Sequence, residues 1–235
     1  MKLIGSRYST FLVDIDDQRC LVKTMDLDVP DRRPVQCHRE LLGYLLATRL
    51  GLAVPPTSLL EHPVWKRVSV QRWIEDARPL TLEERQTLRL EPTGLRILLL
   101  DLLIANRDRS VANLLTARGV VFPIDFNVAF AFGVESARLD EPNSMIMRWL
   151  DIGGVLALRH DHLAALLVEI DRALHLVSME FVHYAVGQLP EAFLAPGERQ
   201  QLIAGLRTRR SALATWIQTF WRETVAPLHH LEASP

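Results

Sequence analysis

The hydrophobic pattern of the chain changes character about a third of the way along. Up to Trp73 the apolar residues fall in short β-prone runs around one helical stretch, and beyond Thr81 they recur mostly at helical spacing. In the first part, Phe11-Leu12-Val13 and Cys20-Leu21-Val22 flank the polar stretch Asp14 to Gln18, which predicts a hairpin ending in Lys23. From about Val35 to Leu50 the leucines at 41, 42, 45, 46 and 50 follow a helical period, and Gly51 supplies the stop. Val54-Pro55-Pro56 breaks that pattern, and Thr57–Leu60 and Arg67–Trp73 predict two further strands.

In the second part, Thr81 and Glu84 have the spacing of a capping box, and Pro92 opens an apolar helix that ends near Ala105. That helix delivers the chain to Asn106-Arg107-Asp108-Arg109. Leu114-Leu115 and Val120-Val121-Phe122 predict a tight hairpin turning at Gly119, with Asp125 directly after it. Three more helical stretches are predicted near Met145–Leu158, His162–Gln188 and Pro196–Val225. The change of character near Glu75–Leu80 predicts an α+β, bilobal architecture. Residues 1–78 would form a β-rich N-lobe with one helix, and residues 79–235 a larger helical C-lobe.

Composition narrows the function. With 49% hydrophobic and 23% charged residues among 235, the chain has the make-up of a folded globule, not of a disordered or repetitive one. A formal net charge of −1 argues against a protein whose main task is to hold a nucleic-acid backbone. No apolar run approaches the roughly 20 residues that cross a bilayer, and MKLIGSRYST lacks the apolar core of a secretory signal, so a cytoplasmic location is expected. Two cysteines, Cys20 and Cys37, are too few for a disulfide scaffold or a four-thiolate metal site. Nothing in the sequence specifies an oligomeric state or a macromolecular partner.

The chemistry-bearing residues come in an order. Arg107-Asp108 is followed five residues after Asp108 by Asn113, the spacing of the protein-kinase catalytic loop without its leading histidine, and Asp125-Phe126-Asn127 stands where a metal-binding Asp-Phe-Gly would. Phosphoryl transfer needs a carboxylate near the acceptor hydroxyl and oxygen ligands that hold magnesium against nucleotide phosphates. Asp108, Asn113 and Asp125 supply them. Upstream, Lys23 ends an apolar strand and Glu40 lies early on the next helix, the order of the kinase Lys–Glu ion pair. Glu40 near a helix start also suits the macrodipole without any partner.

These residues resemble the HipA-like kinases, which share a reduced protein-kinase-like fold with the phosphatidylinositol kinases. The resemblance is carried by RCLVK around Lys23, CHRELLGYLLATRLGLAVPP around Glu40, DLLIANRDRSVANLL around Asp108 and PIDFNVAF around Asp125, and more weakly by QLPEAFLAPGERQQLIAGLRTRRSAL. It implies ATP bound between two lobes, Asp108 as catalytic base, Asn113 and Asp125 as magnesium ligands and Lys23 as phosphate contact. One departure is the absence of G-x-G-x-x-G. Gly5-Ser6-Arg7-Tyr8-Ser9-Thr10 stands in its place, so Ser6, Ser9 and Thr10 are the expected phosphate clamps. Gln71, Arg72 and Trp73 are expected at the hinge against adenine. The acceptor would be a protein Ser or Thr, with a lipid or small-molecule kinase, or a nucleotide-binding pseudokinase, as the alternatives.

Other residues carry less. Asp101 interrupts an apolar helix and either orients the catalytic loop or lies on an exposed face. Arg109 either neutralises phosphate, ties down Asp125 or forms a surface ion pair. His38 is expected on a helix surface, and Arg207-Thr208-Arg209-Arg210 on a solvated face. Trp216, Phe220 and Trp221 are expected to pack in the core.

Overall fold

The computed structural model describes residues 2–3, 10–26, 35–132 and 140–228. Strands β2 (Thr10–Ile15) and β3 (Gln18–Thr24) form the expected hairpin. Its turn is narrower than the polar run suggests: Asp14 and Ile15 pair with Arg19 and Gln18, leaving Asp16-Asp17 alone at the turn with φ of 48° and 61°. Two-residue turns between twisted strands need that left-handed backbone, and aspartate tolerates it.

A short β1 (Lys2–Leu3) pairs with β2, and β4 (Thr57–His62) and β5 (Lys66–Arg72) complete an antiparallel sheet of order β1-β2-β3-β5-β4. Lys23 lies opposite Thr10 on β2 and Ser69 on β5, and Leu21 lies opposite Leu12 and Gln71. Side chains alternate along a strand, so Thr10, Leu21, Lys23, Ser69 and Gln71 share one face. Helix α1 (Cys37–Arg49) packs against β4 and β5 and ends at Gly51 with φ 74°. Its Leu42, Leu46 and Ala47 belong to the same apolar core as the C-terminal helices, which wedges α1 between the sheet and the helical part.

The chain then enters a second antiparallel sheet of order β6-β7-β8, formed by Arg78–Pro79, Leu114–Ala117 and Val120–Pro123. Arg118 and Gly119 make its left-handed turn (φ 51° and 77°). Helix α2 (Leu82–Leu88) starts with the predicted Thr81/Glu84 capping box, and α3 (Pro92–Ile104) is buried at every position from Ile97 to Ile104. Such a helix, apolar all round but for Asp101, belongs at the centre of a core. It touches α1, α4 (Asp140–Ala157), α5 (His160–Leu176) and α7 (Glu198–Phe220).

Three expectations change. The stretch His162–Gln188 is two helices, because Ser178 caps Phe181 N–H and opens α6 (Met179–Gly187). Helix α4 begins before Met145 and kinks at Asp151 (φ 53°), where Arg89 holds the Asp151 carboxylate and the Leu150 carbonyl. The last helix passes into one π-turn over Trp221–Val225, with Trp216, Phe220 and Trp221 in the core as expected. Among the described residues no helix is long and apolar enough to cross a membrane.

Candidate active site

The site grows from the shared face of β3 and β5. Lys23, 5% exposed, directs its Nζ to Glu40 Oε1 at 2.5 Å and to Asp125 Oδ1 at 3.0 Å. Glu40 has no exposed surface and accepts two further hydrogen bonds on Oε2, from Gln71 Nε2 at 3.1 Å and the Phe126 N–H at 3.2 Å. A buried carboxylate survives only when its lone pairs are met, and here a cation, an amide and a backbone N–H meet them. Burial alone would depress the Lys23 pKa, but the Glu40 and Asp125 carboxylates outweigh it, so Lys23 is a firm ammonium. Burial pulls Asp125 toward protonation, and the Lys23 charge and hydrogen bond reverse that, leaving its pKa below the ordinary value.

Asp125 has left-handed backbone (φ 63°), and Asn127 Nδ2 donates to its Oδ1 at 2.5 Å. Phe126 is 1% exposed and packs against α1, where a Cβ at Gly43 would come within 2.4 Å of its ring. Only glycine at 43 lets the helix carrying Glu40 sit this close to the Asp125 segment.

The loop from Asn106 to Asn113 is held from inside. Ala105 caps α3 in left-handed conformation (φ 54°), and Asn106 returns to Asp101 through its backbone N–H and its Nδ2, both at 2.9 Å. Asp101 is 3% exposed and takes the Arg109 guanidinium at 2.9 Å, which settles its two readings in favour of orienting the loop. Arg109 also donates to the carbonyls of Asn113 at 3.0 Å and Ile124 at 2.6 Å, and its guanidinium lies over the Phe126 ring. It is neither a surface ion pair nor a free phosphate contact. It ties Asn113, the end of this loop, to the residue before Asp125, a join that Ile124 N–H to Asn113 O at 3.0 Å reinforces. Asn113 Nδ2 donates to the Asp108 carbonyl at 2.9 Å, while the Asp108 side chain is exposed.

Lys23, Glu40 and Asp125 thus form one cluster, Asp108 and Asn113 a second, and Arg109 links the two. Thr10 lies beside Lys23 across the hairpin, whereas Ser6 and Ser9 fall outside the described residues. The Gln71 amide is spent on Glu40 and on Thr57 Oγ1, and Arg72 and Trp73 line a groove of about 530 Å³ with Arg19, Pro55, Arg118 and Phe122. Lys23, Asp108 and Asp125 do not line that groove. Sequence reasoning misses the supporting role of Gln71 and the close packing of Gly43, whose partners are distant in the chain.

Among the described residues no group of three or more His, Cys, Asp and Glu side chains is arranged to hold a metal. A magnesium site in the kinase manner needs only one or two protein oxygens beside phosphate and water. Asp125 offers carboxylate oxygens, and Asn113, its amide nitrogen committed to the loop, keeps its amide oxygen as an acceptor. The donor set fits.

Two expectations away from the site also change. His38 is fully buried, its Nε2 3.0 Å from Glu198 Oε1. Arg209 is 2% exposed, donating to the Leu102 carbonyl at 2.6 Å with its guanidinium over Trp216, and Arg210 holds the carbonyls of Leu174 and Val177.

No protein-family model matches the sequence, and no curated protein sequence does either. Solved structures do match. The fold is similar to that of CtkA, a proinflammatory kinase of Helicobacter pylori, with a TM-score of 0.64 and 15% identity over 95% of each chain. It is also similar to the Shewanella oneidensis MR-1 toxin–antitoxin structure of HipA, HipB and operator DNA, with a TM-score of 0.54 and 13% identity, over 92% of this chain and 64% of that one. The chain therefore has the α+β fold of the HipA-like kinases, and the resemblance read from its motifs holds at the level of fold.

Proposed function

We propose that this protein is a magnesium-dependent phosphotransferase that moves the γ-phosphate of ATP to a hydroxyl, with a protein Ser or Thr as acceptor. The observation that carries the reading is the buried Lys23–Glu40–Asp125 cluster joined through Arg109 to the Asp108–Asn113 loop. Each group then has a task. Lys23, oriented by Glu40, meets the phosphates, with Thr10, Ser6 and Ser9 as further phosphate contacts. Asp125 and Asn113 hold magnesium, which when bound neutralises charge on the phosphate oxygens. Asp108 orients the acceptor hydroxyl and takes its proton as the new oxygen–phosphorus bond forms and the bond to the ADP oxygen breaks. ATP lies between residues 1–78 and 79–235 as two lobes. Its adenine meets the chain after β5 through contacts other than the Gln71 side chain.

A second reading has one observation in its favour. Asn127 stands where the metal-binding motif has glycine and occupies Asp125 Oδ1, which suits a protein that binds nucleotide without turnover. Incubation with γ-labelled ATP and magnesium, beside a chelator control, separates the two. Magnesium-dependent label on hydroxyl residues of this chain or of an added protein mixture supports transfer. Label on lipid or small molecules moves the acceptor, and no label above the chelator control leaves the nucleotide-binding reading standing.

A further inference from the structure

Arg107, immediately before Asp108, makes a two-pronged contact with Glu141 on α4: Nε to Oε1 at 3.1 Å and Nη2 to Oε2 at 2.9 Å. The Glu141 carboxylate is 12% exposed, and the buried Arg209 guanidinium lies 3.5 Å from its Oε1. Helix α4 grips the same residue a second time, since Arg148 Nη1 donates to the Arg107 carbonyl at 2.7 Å. Arg209 is anchored in turn on the Leu102 carbonyl of α3, two residues before that helix ends. The first turn of α4, the backbone before Asp108 and the central helix are therefore joined through one carboxylate.

Many kinases are switched on when a phosphate added after the metal-binding motif pairs with arginine and orders the loops around the active site. A carboxylate presents the same planar pair of acceptors to a guanidinium fork. Here a carboxylate of the chain itself, lying beyond Asp125, already fills that place. We infer that Glu141 is a positioning residue that sets the Asp108 loop through Arg107, making loop order independent of phosphorylation.

This rests on the phosphotransfer reading above, and the test keeps the two apart. Glu141→Gln preserves volume and removes charge; Arg107→Met removes the fork and leaves the Glu141–Arg209 contact in place. Each is expected to lower kcat by about 10- to 100-fold, the scale of loss when reacting groups are displaced by about an ångström. The KM for ATP should stay within about twofold of wild type, and the double variant should lose no more than the more impaired single one, because both break the Arg107–Glu141 contact. Phosphatase treatment of the wild type should leave kcat unchanged. Wild-type kcat in both variants, losses that multiply, or activity abolished by phosphatase would overturn the inference while leaving the phosphotransfer reading intact. Should Glu141→Gln fail to fold, Arg107→Met carries the same comparison. A wild type that transfers no phosphate removes the phosphotransfer reading, and this inference with it.

Discussion

Asp108→Asn is expected to lower phosphate transfer by about 10²–10⁴-fold, the range commonly lost with a positioned acid–base group. The protein should still fold. Asp108 is exposed, and among the described residues the loop is held by groups other than its carboxylate: Asn113 Nδ2 on its backbone carbonyl, Glu141 and Arg148 on Arg107, and Asp101 on Asn106 and Arg109. The substitution keeps size and removes the carboxylate that orients the hydroxyl and takes its proton. Melting temperature and ATP affinity near wild type, with transfer lost, is the expected pair of results. Near-normal transfer in this variant would remove Asp108 from the mechanism.

The second large effect is expected at Lys23 and Glu40. Breaking a buried ion pair by removing one partner typically costs about 3–5 kcal/mol, because the other charge is left buried without compensation. Among the described residues, Lys23→Ala leaves Glu40 its hydrogen bonds from the Gln71 amide and the Phe126 N–H, and Glu40→Ala leaves Lys23 its contact with Asp125. Both single variants should melt well below wild type and transfer little phosphate. The double variant should be less destabilised than the sum of the two, since it buries neither charge alone, yet it should stay inactive because the phosphate contact is gone. A denaturant series on the four proteins measures the coupling. Strictly additive losses would show that the two residues act independently.

The legible part of the site was local. Five groups in kinase order sit on elements whose type follows from short-range pattern, and the hairpin that ends in Lys23, the capping box at Thr81 and the buried helix ahead of Asp108 all form as read. What escaped depends on partners far along the chain. Arg209 and Arg210 look like a solvated basic run, because a sequence records their charge and not the Leu102, Leu174 and Val177 carbonyls that meet them. His38 precedes Arg39 in a polar-looking stretch, yet α1 is covered on the sheet side and the helical side at once, and the residue is buried against Glu198. Gln71 is expected at the hinge with Arg72 and Trp73, but strand alternation turns its side chain toward Glu40. Asp101 left a usable signal, a lone carboxylate in an apolar helix, and Arg109 supplied its partner.

Asp125, beside Lys23, and Asn113 are proposed to form a magnesium–nucleotide site. This is tested most directly by the melting temperature of wild type and Asp125→Ala with ATP, once with magnesium and once with chelator. A ligand at 100 times its Kd stabilises the native state by about 2.7 kcal/mol. For a chain of this size that is a rise of roughly 5–10 °C. Reading the difference between magnesium and chelator within each protein cancels any change that the lost Lys23–Asp125 contact makes to stability. A clear magnesium-dependent rise is expected in wild type and its collapse in Asp125→Ala. A wild type with no such rise, or an Asp125→Ala variant that keeps all of it, would show that Asp125 does not hold magnesium against the nucleotide.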